Sequence, residues 1–400
     1  MVRHLYVHTP FCAKVCPYCA FYVHQGGATA QREFVAALRA EWRRAGDEFP
    51  LALETIYFGG GTPSILSAEL FAELAEELHG SRRTVVARAG PCAGASDGSR
   101  RPPGDGSGVV PPRSQARGDT EFTLEVNPAT VTAEKAAAWR AAGVNRISLG
   151  AQSFDPEMLK ILGRQHAPDD IAETCALLRA HGFTNLNLDL MFALPEQSET
   201  KWEATLHAAL ACQPQHLSAY ALTYEEYTPF FEKLKRGEWR QDEEREIKMF
   251  TATRERLVEA GFVDYEISNF AQPGFESRHN LGYWRGEDYL GLGPSACSTI
   301  GAARWKNVPD TRAYAERIAR GESVREEIEA LDAATRARER IMFGLRMREG
   351  VALKEFGPSP AQALQLDQLQ TEGLATIEGN RVRLTPRGQL VADSVAGMFV

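Results

Sequence analysis

Strand-like and helical patterns alternate along the first 222 residues, and that alternation limits the fold more than any other property of the chain. Runs of strand length cover residues 3–9, 53–58, 122–126, 146–149, 186–191 and 216–222. Stretches with apolar residues at helical spacing separate them, at 30–49, 68–79, 133–142, 156–162, 169–181 and 201–212. In the first of these, Phe34, Val35, Leu38 and Trp42 share one helix face, and Ser67 stands where an N-cap would start the next helix. Strand, helix and strand in succession is the pattern of a parallel sheet, because parallel neighbours need a long crossover between them. Six such units predict an α/β fold built on a curved, partial parallel (β/α)6 barrel. A parallel barrel carries its chemistry on the loops at the C-terminal ends of its strands, so candidate site residues are sought there.

Two stretches depart from the repeat. Residues 80–119 hold eight glycines, five prolines and seven arginines, with little apolar periodicity. Such a composition does not bury enough surface to offset its ordering entropy, which predicts a disordered Gly/Pro/Arg-rich insertion. Toward the C-terminus, helical patterns at 333–347 and 359–372 precede a hairpin at 375–384 around Glu378-Gly379-Asn380, and a last helix starts at Pro386. This predicts a small winged-helix-like α+β domain. The expected division is 1–305 for the barrel and its extension and 306–400 for the C-terminal helical, winged-helix-like domain. Residues 324–400 carry ten Lys/Arg against eleven Asp/Glu, and the whole chain has a formal charge of −8. Nucleic acid is therefore not an expected partner, and the tail reads as a packing module on the barrel. No apolar run approaches a membrane span, so any membrane contact is expected to be peripheral.

The first loop carries Cys12-Ala-Lys-Val-Cys16-Pro-Tyr-Cys19. A structural zinc site wants four closed ligands, usually in two pairs, and no second pair exists here. A disulfide framework suits an odd triplet poorly, and no secretory layout precedes it. Three thiolates on one loop suit three irons of a 4Fe–4S cluster, leaving the fourth iron open to a substrate or cofactor. The spacing resembles the cluster motif of radical S-adenosylmethionine (SAM) enzymes. Such a cluster needs a reducing compartment, and a cytoplasmic location is expected. Cys175 and Cys212 lie within apolar helical patterns and read as buried packing residues.

Further candidates follow the later strands. Gly59-Gly60-Gly61-Thr62 ends the second, and glycine there permits close approach of a ligand such as the methionine end of SAM. Glu125 ends the third strand, Gln152 follows the fourth, Arg164 lies in Leu-Gly-Arg-Gln-His, and Asp189 interrupts an apolar strand where an unpaired charge would be costly. A carboxylate can accept ribose hydroxyls, and Arg164 can pair with the methionine carboxylate. Further on, His279-Asn280-Leu-Gly-Tyr283-Trp284 combines a possible axial ligand for heme iron with two large flat side chains suited to a porphyrin face.

Taken together, these motifs resemble the oxygen-independent coproporphyrinogen III oxidase family of radical SAM proteins, over nearly the whole chain apart from 80–119. The resemblance implies that Cys12, Cys16 and Cys19 bind the cluster. It also implies that Tyr6, Gly60, Gly61, Thr62, Glu125, Gln152, Arg164 and Asp189 contact SAM. Two features set the chain apart from the true oxidases. Phe21 stands where they have a fourth cysteine, and the His-Asn-x-x-Tyr-Trp run is similar to the HemW-type heme-chaperone branch. That branch implies heme as a third cofactor, with His279, Tyr283 and Trp284 as candidate heme residues, and a heme-accepting protein and an electron donor as partners. Coproporphyrinogen oxidation, an oxidative decarboxylation, is the alternative activity, disfavoured by Phe21; the resemblance identifies no catalytic residue.

Overall fold

The computed structural model describes residues 1–80, 120–357 and 359–399. The insertion expected at 80–119 therefore lies, but for Gly80, outside the described residues. Among the described residues up to Ala221, strands β1 (Val2–Thr9), β2 (Leu51–Gly60), β3 (Glu121–Val126), β4 (Arg146–Gln152), β5 (Leu186–Phe192) and β6 (His216–Ala221) are interspersed with six helices. These are α1 (Ala28–Glu48), α2 (Ala68–Gly80), α3 (Ala133–Ala141), α4 (Pro156–Ile161), α5 (Pro168–Ala180) and α6 (Glu199–Ala211). The six strands pair in sequence order and all in parallel, as the alternation predicts. Local signals set the starts of several helices: Ser67 Oγ accepts from the Leu70 N–H, and Thr132 and Ser198 cap α3 and α6 in the same way.

Successive residues on each strand face opposite ways, and here the two faces differ sharply. Leu5, Val7, Ile56, Phe58, Leu124, Ile147, Leu149, Leu188 and Leu217 point outward into one core with Phe34, Leu38, Trp42, Trp139 and Trp202 of the helices. The alternate positions are polar: His4, Tyr6 and His8 on β1, Thr55 and Tyr57 on β2, Thr123 and Glu125 on β3. Arg146 and Ser148 on β4, Asn187 and Asp189 on β5, and His216 and Ser218 on β6 continue the series. Apolar burial thus holds the helices onto the sheet, and the inner face is left for chemistry.

Later elements extend the sheet on both sides. After α7 (Pro229–Lys235) and α8 (Glu243–Glu259), β7 (Val263–Asp264) and β8 (Asn269–Ala271) join antiparallel beyond β6. After α9 (Arg278–Trp284), β9 (Tyr289–Leu292) lies parallel to β1 on the other side. β10 (Cys297–Ile300), β11 (Ala303–Asn307) and β12 (Arg325–Ala330) follow as an antiparallel meander, with α10 (Thr311–Arg320) between the last two. Among the described residues the result is a twelve-stranded sheet with a parallel centre and antiparallel wings.

The division expected at 305/306 differs from the packing. Trp305, Val308, Tyr314, Ile318 and Val324 are part of the barrel's core, because β11 and β12 extend the main sheet and α10 packs on α1. A second core begins at Ile341 and runs to Phe399. It gathers α11 (Ala333–Gly344), β13 (Val351–Ala352), α12 (Pro360–Thr371), the hairpin β14 (Ala375–Glu378) and β15 (Arg381–Leu384), α13 (Pro386–Gln389) and α14 (Ala392–Gly397). The expected helix, helix, hairpin order is present, but the final helix is two short ones.

One buried carboxylate joins α1 to the wing of the sheet. Glu41 accepts from the Gly293 N–H at 2.8 Å, from Asn307 Nδ2 at 2.7 Å and from the Tyr314 hydroxyl at 2.5 Å. Burial nevertheless pushes its carboxyl up to about 7. The folded state thus keeps a proton that the unfolded chain releases near pH 4.5, so this group's stabilisation is full below that value and is lost as pH climbs toward 7. Glu41→Gln should flatten the melting temperature against pH between about 5 and 7; an unchanged slope in the variant would contradict this assignment.

Candidate functional site

The loop after β1 carries the three cysteines and is fastened at both ends. The Cys12 N–H donates to the His24 carbonyl at 2.9 Å, and the His24 N–H to the Pro10 carbonyl at 2.8 Å. On the far side, His24 Nε2 lies 2.8 Å from Thr311 Oγ1, and the Thr311 N–H donates to the Tyr22 hydroxyl at 3.1 Å. The start of α10 thus holds the returning arm of the loop. The glycine turn ending β2 packs directly on it: the Gly61 N–H donates to the Thr9 carbonyl and the Thr62 N–H to the Phe11 carbonyl, both at 2.7 Å. Gly60 has φ +102°, and a Cβ there would stand 2.5 Å from His8 Nδ1. A Cβ on Gly61 would meet the Phe11 carbonyl at 2.7 Å and Cys12 Sγ at 3.1 Å. The run is glycine because the His8 ring crowds Gly60, and two backbone carbonyls and the Cys12 thiol crowd Gly61.

Cys12, Cys16 and Cys19 line a cavity of about 480 Å³ at the C-terminal ends of the strands, together with Gly60, Gly61, Thr62, Glu125, Gln152, Arg164 and Asp189. Of the residues expected to contact SAM, the structure brings all but Tyr6 to this wall. The Tyr6 ring lies in the barrel interior, stacked on Tyr57 at 6.2 Å with its hydroxyl 3.1 Å from His8 Nδ1. Phe21 also lines the mouth and is 69% exposed, where it offers a ring and no ligand atom.

Each wall group is held by a neighbour. The Thr62 hydroxyl donates to Cys12 Sγ at 3.5 Å, and Arg164 Nη1 to Cys16 Sγ at 3.8 Å. Burial pushes the Cys12 and Cys19 thiols up, while Thr62 and Arg164 oppose the rise at Cys12. Arg164 Nη2 donates to the Gly150 carbonyl at 2.8 Å, and its Nε is buried with no hydrogen-bond partner among the described residues. The guanidinium thus spends two of its five N–H donors on Cys16 and Gly150 and keeps the others for a ligand. Glu125 Oε1 accepts from the Tyr57 hydroxyl at 2.8 Å; burial, and then the charge of Asp189, pushes its carboxyl up to about 8. Asp189 accepts from Ser148 Oγ at 2.9 Å and from Asn187 Nδ2 at 2.8 Å, and burial raises it too. Tyr57, Ser148, Met191 and Tyr220 line the same cavity and were not singled out from the sequence. The two-residue polar alternation of β2, β4, β5 and β6 would have pointed to them.

The donor set fits the expected cluster. No three His, Cys, Asp or Glu side chains among the described residues are arranged around a single ion. The three thiols instead share one wall of a cavity, with Thr62 and Arg164 placed to support thiolate charge, which suits a cluster with several irons. In the same cavity, two half-buried carboxyl groups and a guanidinium nitrogen with no partner among the described residues suit a polar, zwitterionic ligand.

The residues expected to bind heme lie elsewhere. His279 is buried on α9, with Nδ1 2.7 Å from Thr55 Oγ1 and Nε2 3.0 Å from the Tyr283 hydroxyl. Its ring stacks on Tyr57 at 5.0 Å. Thr55 continues to His4 Nδ1 at 2.9 Å, and His4 Nε2 to Glu287 at 2.8 Å. Both ring nitrogens of His279 are therefore occupied inside the barrel, and the expected iron ligand is not presented to a ligand here. Trp284 packs against Phe343 and under the Arg346 guanidinium, 5.0 Å from its ring.

Against known sequences, residues 6–209 match the Radical SAM superfamily and residues 331–391 the HemN C-terminal domain. The chain is 34% identical over 396 residues to "Heme chaperone HemW" of Mycobacterium tuberculosis, covering 98% of this chain and 93% of the relative. It is 31% identical over 410 residues to the Bacillus subtilis protein of the same name, covering 100% and 99%. Among solved structures, the coproporphyrinogen III oxidase HemN from Escherichia coli superposes with a TM-score of 0.79 at 21% identity, over 100% of this chain and 90% of that one. That likeness is one of fold. No helix among the described residues is long and apolar enough to cross a membrane.

Proposed function

This chain belongs to the radical SAM superfamily, in its HemW-type heme-chaperone branch, and from that premise we propose that it binds heme and delivers it to an acceptor protein. The observation that carries the reading is likeness to heme chaperones over 98% of the chain, in a protein that keeps the cysteine triplet and the carboxyl-lined cavity. Cys12, Cys16 and Cys19 would hold a 4Fe–4S cluster, and Gly60, Gly61, Thr62, Glu125, Gln152, Arg164 and Asp189 would hold SAM. Together those groups supply one-electron chemistry when bound. The chain's own part is to bind and orient them. Arg164 and Thr62 support thiolate charge on the cluster cysteines. Glu125, pushed up to about 8, presents a protonated carboxyl at neutral pH that can both donate to and accept from ribose hydroxyls. Tyr57 fixes that carboxyl from behind.

The partners of this reading are a heme-accepting protein and an electron donor, and its setting is a reducing compartment, the cytoplasm. Phe21 in place of a fourth cysteine weighs against coproporphyrinogen oxidation. The test is hemin titration of anaerobically reconstituted protein, followed by transfer to apomyoglobin as a spectroscopic acceptor. Saturable one-to-one binding and transfer are expected. No saturable heme complex, or anaerobic release of carbon dioxide from coproporphyrinogen III, would overturn the reading.

A further inference from the structure

The inner face of the barrel continues past β1 onto β9, β10 and β11. Tyr6 of β1 pairs with Gly291 of β9, Tyr289 of β9 with Thr299 of β10, and Cys297 of β10 with Lys306 of β11. Paired residues and alternate residues along a strand share one face of a sheet. Tyr6, Tyr289, Cys297 and Lys306 therefore all point to the concave side. Tyr283 of α9 joins them, its ring meeting that of Tyr289 edge to face at 4.6 Å. A Cβ on Gly291 would collide with the Cys297 carbonyl, so glycine lets β10 close on β9 and leaves the floor beside Tyr6 without a side chain.

These groups are accessible and enclosed at once. Tyr6, Tyr283 and Tyr289 are half-buried, and the Cys297 thiol is exposed. Yet burial pushes all three phenols and the thiol up, and the nearby Cys297 sulfur adds to the rise at each phenol. Side chains that keep accessible surface but lie cut off from bulk water line a concavity. Lys306 stands at its edge, with the Glu327 carboxylate 3.9 Å away.

We infer that heme rests in this concavity, with the Cys297 sulfur on its iron, Tyr6, Tyr283 and Tyr289 around the porphyrin and a propionate on Lys306. The inference rests on the heme-chaperone reading and adds the site to it. Cysteine thiolate is one of the protein ligands that hold heme iron, and tyrosine rings offer flat apolar faces to a macrocycle. A lysine ammonium at the edge suits a carboxylate. As the iron takes the sulfur, the thiol gives its proton to solvent and no electron moves. Lys306, opposite Cys297 on the ladder, favours that thiolate. The concavity adjoins the cofactor cavity, because Tyr57 lines the one and stacks on Tyr6 in the other. The His-Asn-x-x-Tyr-Trp run then has a part without an iron-bound histidine. His279 Nε2 holds the Tyr283 hydroxyl at 3.0 Å, so His279 is a positioning residue and Tyr283 a wall of the site.

The test is hemin titration of the full chain with its cluster reconstituted, comparing wild type with Cys297→Ser and Lys306→Gln. Neither side chain belongs to a hydrophobic core, so both variants should fold and keep wild-type iron, sulfide and SAM affinity. The reduced wild-type complex with carbon monoxide is expected to show the displaced Soret band of a thiolate-bound heme. Cys297→Ser should lose that band and bind hemin at least about tenfold more weakly. Lys306→Gln should keep the band and bind more weakly. A wild-type complex without the thiolate band, or Cys297→Ser with that band and with affinity within about twofold of wild type, would overturn the inference. Failure of the wild-type chain itself to bind heme saturably would instead remove the chaperone reading, and the site with it. His279→Ala supplies a second arm: the thiolate band is expected to persist at lower affinity, whereas its loss there and survival in Cys297→Ser would place the histidine on the iron and contradict the assignment.

Discussion

An alanine at position 61 is expected to cost the protein its cluster. The added Cβ would lie 2.7 Å from the Phe11 carbonyl, 2.9 Å from the Thr9 carbonyl and 3.1 Å from Cys12 Sγ. Two of those neighbours are backbone and cannot swing aside. They are also the acceptors that the turn itself uses, since Gly61 and Thr62 donate to Thr9 and Phe11. The turn must then part from the cysteine loop or push Cys12 out of the cavity wall. Overpacking of this kind costs about 1–3 kcal/mol and occasionally more. Here the strain falls on one thiol of three. Anaerobic reconstitution of Gly61→Ala should therefore yield a small fraction of the wild-type iron and sulfide, with SAM binding lost alongside. Gly27→Ala is the control, because a Cβ there meets nothing within 4 Å. Full cluster loading in Gly61→Ala would show that the turn does not set the loop.

His279→Ala should lower stability and SAM affinity together. The ring is buried, bonded at both nitrogens and stacked on Tyr57, so its removal deprives the Tyr283 hydroxyl of its partner, leaves Thr55 to His4 alone and loosens the ring that fixes Glu125. Each buried partner left unsatisfied costs about 1–3 kcal/mol, and the vacated volume adds to that. The melting temperature is expected to fall by several degrees in the absence of any cofactor. SAM binding should weaken several-fold through Tyr57. A histidine poised as an iron ligand would behave otherwise: its loss would leave the apoprotein's melting temperature and SAM affinity unchanged and would affect heme alone. That pattern would contradict the placement of His279 described above.

Much of the barrel could be read from the sequence because its determinants are local. Phe34, Val35, Leu38 and Trp42 lie on one face of α1 and are all buried. Ser67 caps α2; the cysteine triplet follows β1, Glu125, Gln152 and Asp189 lie on β3, β4 and β5, Arg164 follows α4, and all converge on one cavity. What escaped is non-local. β9 is four residues long, yet it pairs with β1 across 285 positions (His4 with Tyr289), and β11, α10 and β12 join the same core. Nothing in their own spacing separates such short elements from those of a terminal domain, so the boundary falls later than the pattern predicts. The hold of Thr311 on His24 and Tyr22 links residues almost three hundred positions apart and leaves no trace in either segment. His279 misleads for a related reason. A histidine followed by two aromatics reads as a ligand set, and only the register of β1 and β2 brings His4 and Thr55 to its ring.

Iron, sulfide and zinc analysis of anaerobically reconstituted protein, with electron paramagnetic resonance of the reduced sample before and after SAM, tests the account at its base. Three thiols sharing one cavity wall with Glu125, Asp189 and Arg164 predict about four irons and four sulfides per chain, and a resonance that shifts when SAM binds. Zinc in place of iron, or a cluster whose resonance is indifferent to SAM, would contradict it.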